Sequence, residues 1–145
     1  MSKQPEITFF IDWSIGQKSV PEALRAVGAI VEVHGDHFAP ETADVDWLPV
    51  VSEKGWVVLT KDEKIGSTPI EVKAIAWASA RVFMLVSGNL SRQQTVDLFV
   101  EALERIKKFT QGNQAPFIAK IYKDGKIQLW RNQTQLRKLL KGNVE

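Results

Sequence analysis

Apolar positions along this chain fall into short compact runs and longer helical stripes, and the two kinds alternate. Ile7-Thr8-Phe9-Phe10-Ile11 is a β-prone run that stops at Asp12, the pattern of a strand buried on both faces. Ser19, Pro21 and Glu22 supply a cap, a proline for a first helical turn and an acid three residues after the cap. Ala23, Leu24 and Val27 share one face of the helix they open, and Gly28 is its stop. A second strand is predicted over Ile30 to Val33, and the polar stretch His34 to Glu41 reads as a loop. Pro49 belongs in a first helical turn, so the next helix is expected to begin near Asp44 to Asp46 and to run to Lys54, with Gly55 closing it.

The alternation continues. Trp56 to Thr60 forms a third strand with Lys61-Asp62 at its carboxyl end. Thr68-Pro69-Ile70-Glu71 is a capping signature that opens a helix through about Ser79, and Val82 to Val86 is a fourth strand. Ser91 caps a long helix on which Val96, Phe99, Val100, Leu103 and Ile106 keep helical spacing. Phe117 to Tyr122 and Ile127 to Trp130 flank Lys123-Asp124-Gly125-Lys126, whose Asp-Gly pair signals a tight hairpin. A short helix over about Thr134 to Leu140 ends the pattern. Four strand-helix alternations with long crossovers imply an α/β fold, doubly wound around a mainly parallel sheet, followed by a β-hairpin and a short helix.

Composition narrows the chemistry. With 145 residues, of which 44% are apolar and 25% charged, the chain suits a single domain over 1–145. It has no cysteine, which excludes disulfides, thiolate metal sites and cysteine nucleophiles. The longest nearly apolar run, Ala74 to Val86, contains Ser79 and Arg81 and is shorter than the ~20 residues of a membrane span. Met1 to Glu6 holds no long apolar stretch, so a cytoplasmic protein without a membrane partner is expected. Charge is segregated: residues 1–104 carry 9 Lys or Arg against 15 Asp or Glu, whereas 105–145 carry 10 against 2. A basic final segment attracts polyanions and hints at nucleic acid, although it equally suits a solvated lysine-rich surface.

In an open parallel sheet, ligands bind beyond the carboxyl ends of the strands. Asp12 and Asp62 stand directly after the first and third strands, and Asp44 opens the helix between the second and third. Three carboxylates gathered on one rim need a cation, and hard oxygen donors suit Mg²⁺ or Mn²⁺, which can activate water against a phosphodiester. Each aspartate has an ordinary use as turn former, cap or dipole partner, so the case rests on their conjunction. Lys61 and Lys64 flank Asp62 as candidate phosphate binders or as partners that relieve carboxylate repulsion. His34 and His37 are candidates for metal or substrate contact, and Trp13 and Trp47 for stacking on bases, against a packing use for most of the tryptophans.

Phe9-Phe10-Ile11-Asp12, then Asp44-Val45-Asp46-Trp47-Leu48-Pro49, then Gly55-Trp56-Val57-Val58-Leu59-Thr60-Lys61-Asp62, resembles the PIN-like domains related to VapC toxins, over residues 7 to about 110. The Leu-Thr-Lys-Asp segment is its most specific part. The resemblance implies a metal-dependent ribonuclease, usually the toxin of a toxin–antitoxin pair, with an RNA substrate, an antitoxin partner and a homodimeric state. It implies that Asp12 and Asp62 bind the metal with Asp44 as the middle acid, a place that Asp46 can also take. Many members carry a fourth acid on or after a later strand, where this chain has Ser87 and Asn89. Phe117, Ile121 and Trp130 are candidates for a partner surface. Two other classes stay open: a PIN-like interaction module without catalysis, and a signalling receiver built on Asp62, Ser87 and Lys120, against which Trp13 stands where receivers have a second acid.

Overall fold

The computed structural model of the chain describes residues 6–86 and 89–141, so Ser87 lies outside the described residues. Six strands form one sheet: β1 (Thr8–Ile11), β2 (Ile30–Val33), β3 (Val57–Thr60), β4 (Arg81–Val86), β5 (Phe117–Tyr122) and β6 (Ile127–Arg131). Their order is β2-β1-β3-β4-β5-β6; the first five are parallel and β6 runs antiparallel to β5. The helices are α1 (Ser19–Ala26), α2 (Asp44–Glu53), α3 (Pro69–Ala78), α4 (Arg92–Gly112) and α5 (Gln133–Lys141). The α/β reading of the sequence holds, with the parallel sheet, hairpin and last helix in their expected places. None of the described helices is long and apolar enough to cross a membrane.

The central strands are mostly apolar because both faces are covered, and their alternating side chains feed two separate cores. Phe9, Ile11, Val57, Leu59, Phe83, Leu85 and Phe117 point to one face and pack with α1 and α4. Phe10, Val58, Val82, Met84 and Ile118 point to the other and pack with α2, α3 and α5. Phe117 and Ile121 are fully buried, which corrects their reading as a partner surface, and Trp47 is likewise sealed in the second core rather than available to a base.

This division fixes the hand of each crossover. The chain steps from β3 to β4 and from β4 to β5 in the same direction, yet α3 and α4 lie on opposite faces. The α4 crossover is therefore opposite in hand to the one through α3, and the crossovers through α1 and α2 agree with α3. Such connections nearly always share one hand. The exceptional α4 joins α1 on its face and leaves the space beside α3 to α5, whose Leu136 is fully buried there.

Local signals place most boundaries. Gly28 and Gly55 follow α1 and α2 with φ of 93° and 77°, a region that favours glycine. Ser19 is the first residue of α1 rather than its cap; Lys18 holds that position without a side-chain cap bond. Pro49 sits one turn deeper in α2 than a first-turn proline, so the Val45 carbonyl lacks its usual amide partner there.

Candidate metal centre

The chain runs from β1 outward to β2 and returns past β1 to β3, so the crevice between the carboxyl ends of β1 and β3 is the switch point of the sheet. Asp12 closes β1 at this crevice, its amide donating to the Leu59 carbonyl of β3 at 3.0 Å. Its side chain is only 6% exposed, and Oδ2 accepts from the Ser14 and Thr60 hydroxyls, each at 2.7 Å. Both hydroxyl protons are thereby committed to Asp12, and the hydroxyl oxygens accept from the next stretch of backbone: Thr60 Oγ1 from the Asp62 amide at 3.0 Å, Ser14 Oγ from the Lys61 amide at 3.1 Å. The network ties the end of β1 to the turn carrying Asp62. Both hydroxyl bonds fall on Oδ2, which leaves Oδ1 outside this network as an acceptor.

Asp62 caps the 3-10 turn Glu63–Gly66, accepting from the Lys64 amide at 3.0 Å. Asp44 is the first residue of α2, and Glu71 is the third of α3. One carboxylate oxygen from each of Asp44, Asp62 and Glu71 lies within 4.8 Å of the others. Asp46 is exposed and outside this group: two helical residues on, it points about 200° away from Asp44. The structure thus brings together Asp44 and Asp62 of the expected acids, sets Asp12 beside them, and adds Glu71.

Glu71 adds a further acid to the group, from α3 and not from the stretch of Ser87 and Asn89. Its position in Thr68-Pro69-Ile70-Glu71 made it look like a capping residue, yet Thr68 makes no side-chain cap bond. The Thr68 amide, which such a glutamate would serve, already donates to the Lys64 carbonyl at 2.9 Å. Glu71 is released from capping, and its Oε2 is buried with no hydrogen-bond partner among the described residues.

The electrostatics follow from this crowding. Burial, then a hydrogen bond with Glu71, then the charges of Asp12, Glu71 and Asp62 push the Asp44 carboxyl up to about 7. Asp44 therefore keeps its proton toward neutral pH, and a divalent cation bound there would displace it. Oxygen-only donors at this spacing, with one buried oxygen unsatisfied, fit a hard cation such as Mg²⁺ or Mn²⁺.

The neighbouring candidates divide. His34 is 1% exposed, with its ring among Phe10, Trp13, Phe38 and Trp47 and Nδ1 without a hydrogen-bond partner. Burial lowers its pKa, against an opposing pull from Asp12, so it packs as a neutral ring. His37 pairs with Glu32 at 2.7 Å. Lys61 and Lys64 are exposed beside Asp62, and Trp13 is 46% exposed immediately after Asp12. Lys120 lies over the Trp130 ring at 4.1 Å.

A relative named "Putative ribonuclease VapC45", from Mycobacterium tuberculosis, is 26% identical over 117 residues, covering 78% of this chain and 84% of its own. No solved structure matches the chain. The family described as "PIN like domain" matches residues 7–87, more than half of the sequence and the whole stretch that carries Asp12, Asp44, Asp62 and Glu71. The chain belongs to the PIN-like domain family.

Proposed function

We propose that this protein is a metal-dependent endoribonuclease and the toxin of a toxin–antitoxin pair, acting in the cytoplasm as one PIN-like unit over residues 1–145. The observation that carries the reading is the convergence of Asp44, Asp62 and Glu71 within 4.8 Å at the switch point of the sheet. The name of the mycobacterial relative supports the same activity.

Asp44, Asp62 and Glu71 would hold the ion, Mg²⁺ or Mn²⁺. When bound there, it supplies charge neutralisation at the phosphate and makes water a nucleophile at neutral pH. The chain's own groups do the rest. The Ser14 and Thr60 hydroxyls fix Asp12 through Oδ2, which leaves Oδ1 to serve as proton acceptor for an attacking water. The turn at Asp62 presents Lys61 and Lys64 to the flanking phosphates of the RNA. An antitoxin would act by covering this acidic rim, and a homodimer is the expected assembly.

Purified protein incubated with RNA is expected to cleave it with Mn²⁺ or Mg²⁺, and neither with chelator nor as Asp62→Asn. A folded preparation that gains thermal stability from Mn²⁺ yet cuts no RNA would overturn the catalytic reading in favour of a binding module.

A further inference from the structure

The strongest feature outside the acidic group is a cavity of about 470 Å³ on the other side of the same rim, between α1 and α4. Its walls include Trp13, Ser14, Lys18, Lys61 and Arg92, and no acid is among its lining residues. Lys18, Lys61 and Arg92 are exposed, and none makes an ion pair among the described residues. Three cations around one concavity with no acid in its lining concentrate positive field on it and favour an anion there. The cavity is contiguous with the acid centre: Ser14 lines it while donating to Asp12 at 2.7 Å, and Lys61 lines it one residue before Asp62.

Trp13 makes this more than an anion site. It stands half in solvent, yet its position is set: its ring meets the His34 ring edge-to-face at 5.9 Å and 71°, and the ring packs against Gly35. A Cβ at Gly35 would lie 3.1 Å from that ring and 3.0 Å from Gln17 Oε1, which accepts the Gly35 amide at 2.6 Å. A tryptophan held on one side and open on the other is a platform for a flat apolar group.

From these features we infer that the cavity is a nucleotide subsite: Trp13 stacks on one unpaired base, and Lys18, Lys61 and Arg92 hold the phosphates that flank it. A base inside a duplex has both faces covered by its neighbours, so only an unpaired one offers a face to Trp13. The volume lies within the ~300–1,000 Å³ of small-ligand sites. The strand is thus gripped by residues of the acidic first two-thirds of the chain. The basic final segment, to which charge alone pointed, lines none of this cavity. The identity of the ligand as RNA rests on the ribonuclease reading above.

The test is fluorescence anisotropy of a labelled single-stranded RNA on the full-length protein in chelator and low salt, run beside a cleavage assay with Mn²⁺. Trp13→Ala is expected to weaken binding about tenfold, while Trp13→Phe keeps most of it. Lys18→Gln and Arg92→Gln are each expected to reduce the salt slope of binding by about 0.7. The same sequence as a duplex should compete poorly. All three substituted positions are exposed, and thermal melts of the variants verify folding. If Trp13→Ala binds within twofold of the parent, or if the duplex binds as tightly as the single strand, the subsite is overturned even where cleavage is intact. If the binding pattern holds but no metal supports cleavage, the nuclease reading fails and the subsite stands.

Discussion

Two helices of this protein begin with the same kind of motif, and each uses it differently. At the start of α4 the Ser91 hydroxyl accepts from the Gln94 amide at 3.1 Å, while Gln94 Oε1 accepts from the Ser91 amide at 2.8 Å. At the start of α3 the Thr68 hydroxyl accepts nothing from the helix, and the Glu71 carboxylate is turned to Asp44 and Asp62. Ser91-Gln94 satisfies two amides that would otherwise lack partners. Thr68–Glu71 leaves a buried carboxylate oxygen unpaired beside other acids, an arrangement that lowers the stability of the metal-free fold. A residue that breaks its local rule at a stability cost is a marker of function, and the contrast with α4 is what makes Glu71 visible.

The comparison breaks most sharply on activity. Glu71→Gln and Asp62→Asn are each expected to lower RNA cleavage on the order of 10³-fold, because each removes a charged donor whose ion contributes several kcal/mol to the transition state. Gln94→Ala, the same position in the other motif, should leave cleavage unchanged per folded molecule. In chelator, Glu71→Gln should melt higher than the parent, since it takes one charge out of the cluster. Equal cleavage by the Glu71 and Gln94 variants would dissolve the distinction between the two helices.

The pH response is the next largest effect. With Asp44 raised from 3.8 to about 7, the folded protein keeps a proton that the unfolded chain loses. The associated stability is complete below pH ~4 and is lost as pH rises through about 7, where folded and unfolded chains come to bind protons equally. Melting temperature in chelator should therefore fall between pH 5 and 7 and level off above. Mn²⁺ should bind more tightly over the same interval, because it displaces that proton. The helix opened by Ser91 and Gln94 has no such group in its cap and provides no such slope. Glu71→Gln, which removes a cause of the raised pKa, should flatten the melting curve; an unchanged slope would show that burial alone sets it.

Much of this architecture is legible in the residues themselves. Strand runs buried on both faces, the stops at Gly28 and Gly55 and the Asp-Gly hairpin are local signals, and the elements they mark are present. Asp12 and Asp62 are legible because they end strands. Three things are not local. The hand of the α4 crossover depends on which face α5 fills, and no periodicity encodes that. Asp44 and Asp46 read alike until the phase of α2 is known. Glu71 is hidden because a glutamate three residues after a threonine is ordinarily explained by the cap. The concealed signal lay upstream: Lys64 closes its own turn on the Thr68 amide, so no partner for Glu71 remains there.

Smaller effects sharpen the contrast through stability. Ser91→Ala should cost about 1 kcal/mol, the usual value of a lost N-cap, and lower the melting temperature by about 2–4 °C. Thr68→Ala occupies the equivalent position, and a count of motifs would assign it the same penalty. The structure does not: the Thr68 hydroxyl makes no cap bond, and its amide is served by the Lys64 carbonyl whatever side chain follows. The expected change is within about 0.5 kcal/mol, as for an ordinary surface substitution. Denaturant melts of the two alanine variants, measured with saturating Mn²⁺ so that the acid cluster contributes equally to both, read the difference directly. A loss at Thr68 as large as that at Ser91 would mean that the first motif is a working cap and that Glu71 divides its time between capping and the metal.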